Sequence, residues 1–352
     1  MFLGNRSLKN SGTQIVGVVL GTIGAIVLSA LPAAAHVRWF VDENDPNIQI
    51  VESFSIIEPL VLIWIAIAIA AISASVFLDT KLPKIQVVDS RTRHDVMEFV
   101  RIFVGMSFLL TAYEGALLAP HLSAIGVFGG FLVIMQAFIG VILIANRFLQ
   151  HAAILMFLLF FGTVIKFGFL GALEYSNIVG IGLFILFNNF KDETLIARFK
   201  PYSVPALRIF TGVALVALAF GEKLYGAFLG NAFIANFGWN FMPAIGLDWF
   251  DDRTFILAAG VVEATFGIIL ILGTTTRLTI LALSILMAAS NIAFIVQGYR
   301  DEAMVEFIGH LPVIATALLL LFLGYGQRLK VTNHAFFTGE RRVDNTAQAN
   351  PA

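Results

Sequence analysis

The feature that most constrains this chain is a recurrence: runs of about 20 apolar residues with few or no charges follow one another almost from end to end, separated by short polar loops. A helix of that length covers about 30 Å of hydrocarbon. Lipid offers the backbone no hydrogen-bond partners, so a spanning segment must satisfy its own amides. Continuous rather than alternating apolar runs select the helix over the closed barrel. Composition agrees, since hydrophobic residues make up 59% of the 352 and charged residues 13%. The 34 Phe suit lipid tails, and the 30 Gly suit close helix approach. The expected fold is an all-α, polytopic membrane helical bundle.

Approximate spans are 14–35, 56–78, 97–117, 123–145, 150–170, 174–188, 205–226, 254–273, 277–297 and 305–324. Lys and Arg concentrate at Arg6 and Lys9, from Lys81 to Arg93, at Arg147, from Lys191 to Lys200, at Arg277 and from Arg328 onward, which are alternate loops. The positive-inside rule places these on the cytoplasmic side of a bacterial-type inner membrane, with a cytoplasmic C-terminus. Arg38, Arg253 and Arg300 are the exceptions on the outer side. The first segment has two readings. It is either a retained helix or a secretory signal cleaved after the run Ala33, Ala34 and Ala35, which would make His36 the new N-terminus.

Self-similarity divides the rest. VRIFVGMSFLLTAYEGALLAP from Val100 resembles LRIFTGVALVALAFGEKLYGA from Leu207, pairing Arg101 with Arg208 and Gly105 with Gly212. MQAFIGVILIANR from Met135 resembles VEATFGIILILGTTTR from Val262, pairing Gln136 with Glu263 and Gly140 with Gly267. The segment from Ala172 resembles that from Met304, pairing Glu174 with Glu306. Two parallel four-helix repeats follow, at 96–190 and 201–326, after one or two N-terminal helices within 1–95 and before a tail at 327–352.

The second unit resembles the DoxX family of small four-helix membrane proteins in LRIFTGVALVALAFGEKLYG, in VEATFGIILILGTTTRL and in the four-residue spacing from Glu306 to His310. The first unit looks like a degenerate copy. The resemblance implies a membrane-bound oxidoreductase subunit, associated in some members with electron transfer to quinone. It covers residues 97–324, and the N-terminal helices and the loop 227–253 depart from the family pattern.

Ionisable groups inside a span cost about 2.5–3.5 kcal/mol at its centre, so each is a functional candidate. Glu263 is the sharpest, in mid-helix with apolar neighbours, either a proton acceptor or a structural hydrogen-bonding group. Glu114, Glu222, Lys223, Lys166, Glu174, Glu306 and His310 gather toward the outer face and imply a polar cavity opening there. Lys166 and Lys223 are the available cationic partners, with the pairing left open. For Glu114 and Glu174, the simpler reading is a carboxylate ending its helix among headgroups. Glu263, Glu222, Lys223 and Glu306 are the catalytic candidates.

Glu306 and His310, four apart on one helical face, could share a metal ion with the outer histidines His36 and His121. A free amine and imidazole at His36 would chelate copper, whereas the simpler reading leaves His36 and His121 as interfacial loop residues. In the outer loop, Trp239 and Trp249 either anchor it at the interface or shape a lateral entrance for a lipid-like molecule such as a quinone. Gln136, the counterpart of Glu263, joins them as a cofactor-binding candidate.

With no cysteine, thiol redox chemistry, disulfides, thiolate metal sites and iron-sulfur clusters are excluded, so a redox role needs a bound cofactor. No P-loop, Rossmann fingerprint, zinc motif or haem-attachment sequence is present, and nothing suggests nucleic acid as a partner. Three functions fit: a quinone-linked oxidoreductase subunit fed by an electron-donor protein, a transporter or copper-handling protein, and a membrane assembly scaffold.

Overall fold

The computed structural model describes residues 36–43, 45–82, 90–324 and 327–333, with 90–94 described by backbone only. The expected helix at 14–35, the cleavage point after Ala35 and the tail beyond 333 lie outside these residues. Among them the protein is helical, with no strands. The order is a 3-10 turn at Val37–Trp39, α1 (Pro59–Lys81), α2 (Ser90–Tyr113), α3 (Gly126–Ala145), α4 (Leu149–Phe167), the short α5 (Phe169–Leu173), α6 (Asn177–Asn188) and α7 (Glu193–Phe199). Then come α8 (Ser203–Leu218), α9 (Ala227–Phe237), α10 (Asp252–Leu272), α11 (Thr276–Gln297), α12 (Arg300–Gly309) and α13 (Leu311–Leu323).

Among the described residues seven helices are long and apolar enough to cross a membrane, and an eighth if α12 and α13 form one span bent by 54°. This is the make-up of a multi-pass membrane protein. Their outward faces suit lipid. On α3, Phe131, Ile134, Phe138 and Val141 recur at helical spacing and are each more than half exposed, a stripe that water would disfavour. In contrast α10 is buried on nearly all sides and forms the centre of the bundle.

Local chemistry sets the helix ends. Asp251 caps α10 by accepting from the Thr254 amide, and Gly273 closes it in the left-handed region at φ 79°. Asp192 accepts from the amides of Thr194 and Leu195, so the segment read as a loop between the two units instead starts α7 and continues toward α8. The expected span 174–188 is shorter than predicted, a 12-residue α6 preceded by α5. Its counterpart bends after His310, where Pro312 has no amide to donate to the preceding turn.

Neighbouring helices pack in matching pairs. The α2 backbone meets α3 at Gly105 and Gly140, and α8 meets α10 at Gly212 and Gly267. A Cβ on Gly212 would sit 2.5 Å from the Gly267 carbonyl oxygen, so the two backbones touch. Arg101 Nη1 donates to the Leu143 and Ile144 carbonyls at the end of α3. Arg208 Nη1 does the same to Leu270 and Ile271 at the end of α10. Each arginine thereby satisfies carbonyls that a helix end leaves unpaired. Finally, α6 packs on α8 while α13 packs on α2.

Candidate functional site

The outer loop read as 36–55 does not simply lie at the surface. Its first residues, His36 to Val41, enter the bundle, and His36, Val37 and Val41 are buried. The reason lies in α8, which widens into a π turn at Ala219–Leu224. That turn is compatible with burying two consecutive charged side chains, Glu222 and Lys223, where successive residues of a regular helix point about 100° apart.

Glu222 faces the 3-10 turn. Its Oε2 accepts from the Val37 amide at 2.7 Å, its Oε1 accepts a longer bond from the Arg38 amide at 3.4 Å, and His36 Nδ1 lies 3.6 Å from Oε1. The carboxylate therefore caps the free amides of that turn. Arg38 reaches on to Glu174 Oε1 at 2.6 Å and to the Gly221 carbonyl at 3.4 Å. Lys223 turns the other way and donates to Glu263 Oε2 at 3.0 Å, both side chains being almost fully buried. Buried charges persist only when paired, and these are.

Beside the carboxylates stands a column of rings. His36 stacks on Trp39 with centroids 4.3 Å apart and planes 3° from parallel, and His310 tilts against both, at 5.3 Å from His36 and 4.8 Å from Trp39. Tyr175 lies 6.1 Å from His36 and receives a hydrogen bond from Trp39 Nε1 at 3.3 Å. His121 lies 6.1 Å from Tyr175. Burial pushes the His121 imidazole down to about 4, with His36 and Arg38 adding to the shift and Glu222 opposing it. Gly309, the last residue of α12, makes room for the column, since a Cβ there would lie 2.3 Å from the Trp39 ring.

Beside the rings is a cavity of about 100 Å³. Its lining includes His36, Trp39, Glu174, Tyr175, His310 and Glu263. The remaining walls are mostly apolar and come from α6, α8, α10, α11 and α13. This is the usual make-up of a small-molecule site: apolar lining with a few convergent polar groups.

The other candidates lie elsewhere. Glu306 is fully buried, and its Oε1 accepts from the Ser290 hydroxyl on α11; its Oε2 and His310 Nδ1 have no hydrogen-bond partner. The two belong to one turn, since the His310 amide donates to the Glu306 carbonyl, and the bend toward α13 follows His310. Among the described residues no three His, Asp or Glu side chains converge on a metal position. Gln136 is also fully buried, but it pins the 114–123 loop, accepting from the Leu118 amide and donating to Thr111 and to the Ala116 carbonyl. Trp239 is packed among Phe233, Phe237 and Phe294 in the core, whereas Trp249 is 70% exposed. Neither lines the cavity. Lys166 donates to the Ile125 carbonyl instead of to a carboxylate, and Glu114 is exposed.

Arg38, Trp39 and Tyr175 were not singled out from sequence. Only Arg38 carried a signal, as a cation on the acidic side of the expected topology. No family model, curated protein or solved structure matches the chain.

Proposed function

We propose that this is a multi-pass membrane protein of two parallel DoxX-like units, and that its cavity receives a quinone-type molecule delivered from the bilayer. The observation that carries this reading is the cavity itself: mostly apolar walls that include the hydrogen-bonding groups of His36, His310, Tyr175 and Glu263. A quinone needs those two surfaces, an apolar one for its ring and tail and polar donors for its carbonyl oxygens.

Duplication is supported by the recurrence of one construction, with Arg101 and Arg208 holding carbonyls offset as their sequences are. The reciprocal packing of α6 on α8 and α13 on α2 suits a pseudo-two-fold axis along the membrane normal. The Arg208 end carries most of the Lys and Arg and faces the cytoplasm, so the cavity end faces outward. Within the cavity Glu263, paired with Lys223, relays in turn the two protons that the quinone takes up as it receives two electrons from a donor protein and becomes a quinol.

Native mass spectrometry of the gently solubilised protein tests the reading. A quinone-mass adduct is expected, lost when Met287→Trp fills the cavity while the thermal midpoint is kept. A protein without the adduct, which also fails to retain added decylubiquinone, overturns it.

A further inference from the structure

We infer that His36 is the N-terminus of the mature chain and that its α-amine and imidazole, with Glu222, form a copper(II) site beside the cavity. This stands independently of what fills the cavity.

Three observations meet here. The residues Ala33, Ala34 and Ala35 follow an apolar run with a basic start, the pattern that a signal peptidase cuts. The residue exposed by that cut is seated inside the protein, where its neighbours Val37 and Arg38 donate their amides to Glu222. Both His36 and His310 are more than nine-tenths buried, and Nδ1 of each has no hydrogen-bond partner. A buried polar nitrogen without a partner is costly and calls for one.

The cluster's other carboxylates already have cationic partners: half-buried Arg38 pairs with Glu174 and buried Lys223 with Glu263, which leaves Glu222 facing His36.

Side chains alone supply no three-ligand metal set. The amine released by cleavage changes this, because an amine and Nδ1 of the same residue close a six-membered chelate ring on a metal. Glu222 Oε1, at 3.6 Å from His36 Nδ1, is placed as the third ligand, and His310 stands one ring away. Nitrogen donors with one carboxylate favour copper(II) above the other common divalent ions.

The test uses the full chain expressed with its leader in an exporting host, purified from membranes, and titrated with Cu(II) against a competing chelator. The expected results are an intact mass that begins at His36, one copper per chain, and an electron paramagnetic resonance signal split by nitrogen. His36→Gln and Glu222→Gln should each weaken copper binding by about tenfold or more, while His121→Asn leaves it unchanged. Size-exclusion and thermal midpoints identify misfolded variants, and Ala35→Leu, which blocks cleavage without touching the site, supplies the check. It should retain the leader and lose the copper. A mature protein that keeps residues 1–35 overturns the inference, as does a chain beginning at His36 that takes up no copper or binds it equally well as His36→Gln.

Discussion

Lys223 Nζ lies 3.0 Å from Glu263 Oε2, joining the π turn at the end of α8 to the middle of α10. Two groups separated by 40 residues thereby neutralise each other inside an apolar bundle. Glu263→Gln should leave Lys223 as an uncompensated buried cation and cost about 3–5 kcal/mol, whereas Glu263→Gln with Lys223→Met should regain most of it. Unfolding midpoints in detergent measure both. If Glu263→Gln lowers stability but leaves quinone retention and turnover unchanged, the pair only holds helices together and the scaffold reading gains.

Gly309→Ala should displace the Trp39 ring, since the added Cβ would lie 2.3 Å from it. Overpacking of this kind costs about 1–3 kcal/mol. The same substitution in a Trp39→Phe background should cost less, because the smaller ring can retreat. Equal costs in both backgrounds would show that the two residues do not meet.

The glycine contacts of the two units should not be equally tolerant. At Gly212 the nearest obstacle to a Cβ is the Gly267 carbonyl oxygen at 2.5 Å, whereas at Gly105 it is a carbon of the Ile144 side chain at 2.8 Å. A side chain can turn aside and a backbone carbonyl cannot. Gly212→Ala is therefore expected to lower the thermal midpoint more than Gly105→Ala, and the reverse order would contradict the packing described.

At the Arg208 end, Asp79 gathers the segment after α13, accepting from Lys330 Nζ and the Thr332 hydroxyl at 2.7 Å each. Arg208 Nη2 holds the Leu329 carbonyl of the same segment. Asp79→Asn removes the ion pair and should speed tryptic cleavage after Lys330 severalfold with the bundle intact. Unchanged cleavage would mean that Arg208 alone retains the segment.

His121 lies outside the spans, and burial lowers its imidazole from 6.5 to about 4. The folded state thus binds fewer protons than the unfolded chain between these values. Its contribution is fully present above about pH 6.5 and is lost as the pH falls toward 4. Midpoints measured across that range should decline less steeply in His121→Phe than in the parent.

How much of this was legible in the sequence follows from the range of the forces involved. Apolar runs of spanning length determined that the described chain is helical and roughly where helices occur, because a segment in lipid must satisfy its backbone within itself. The intramembrane charges also marked Glu263, Glu222 and Lys223 as residues needing an explanation, since desolvation is a property of position along an apolar helix. What the sequence could not supply was partnership. Glu263 sits with Lys223 because a π turn re-aims the end of α8, and Gln136 is absorbed by loop amides although its counterpart lines a cavity. Glu306 is held by the Ser290 hydroxyl of α11, and the segment from His36 to Val41 is drawn inward by a carboxylate nearly two hundred residues away. Those outcomes depend on which long-range contacts satisfy each buried polar group, and that is decided only when the helices pack.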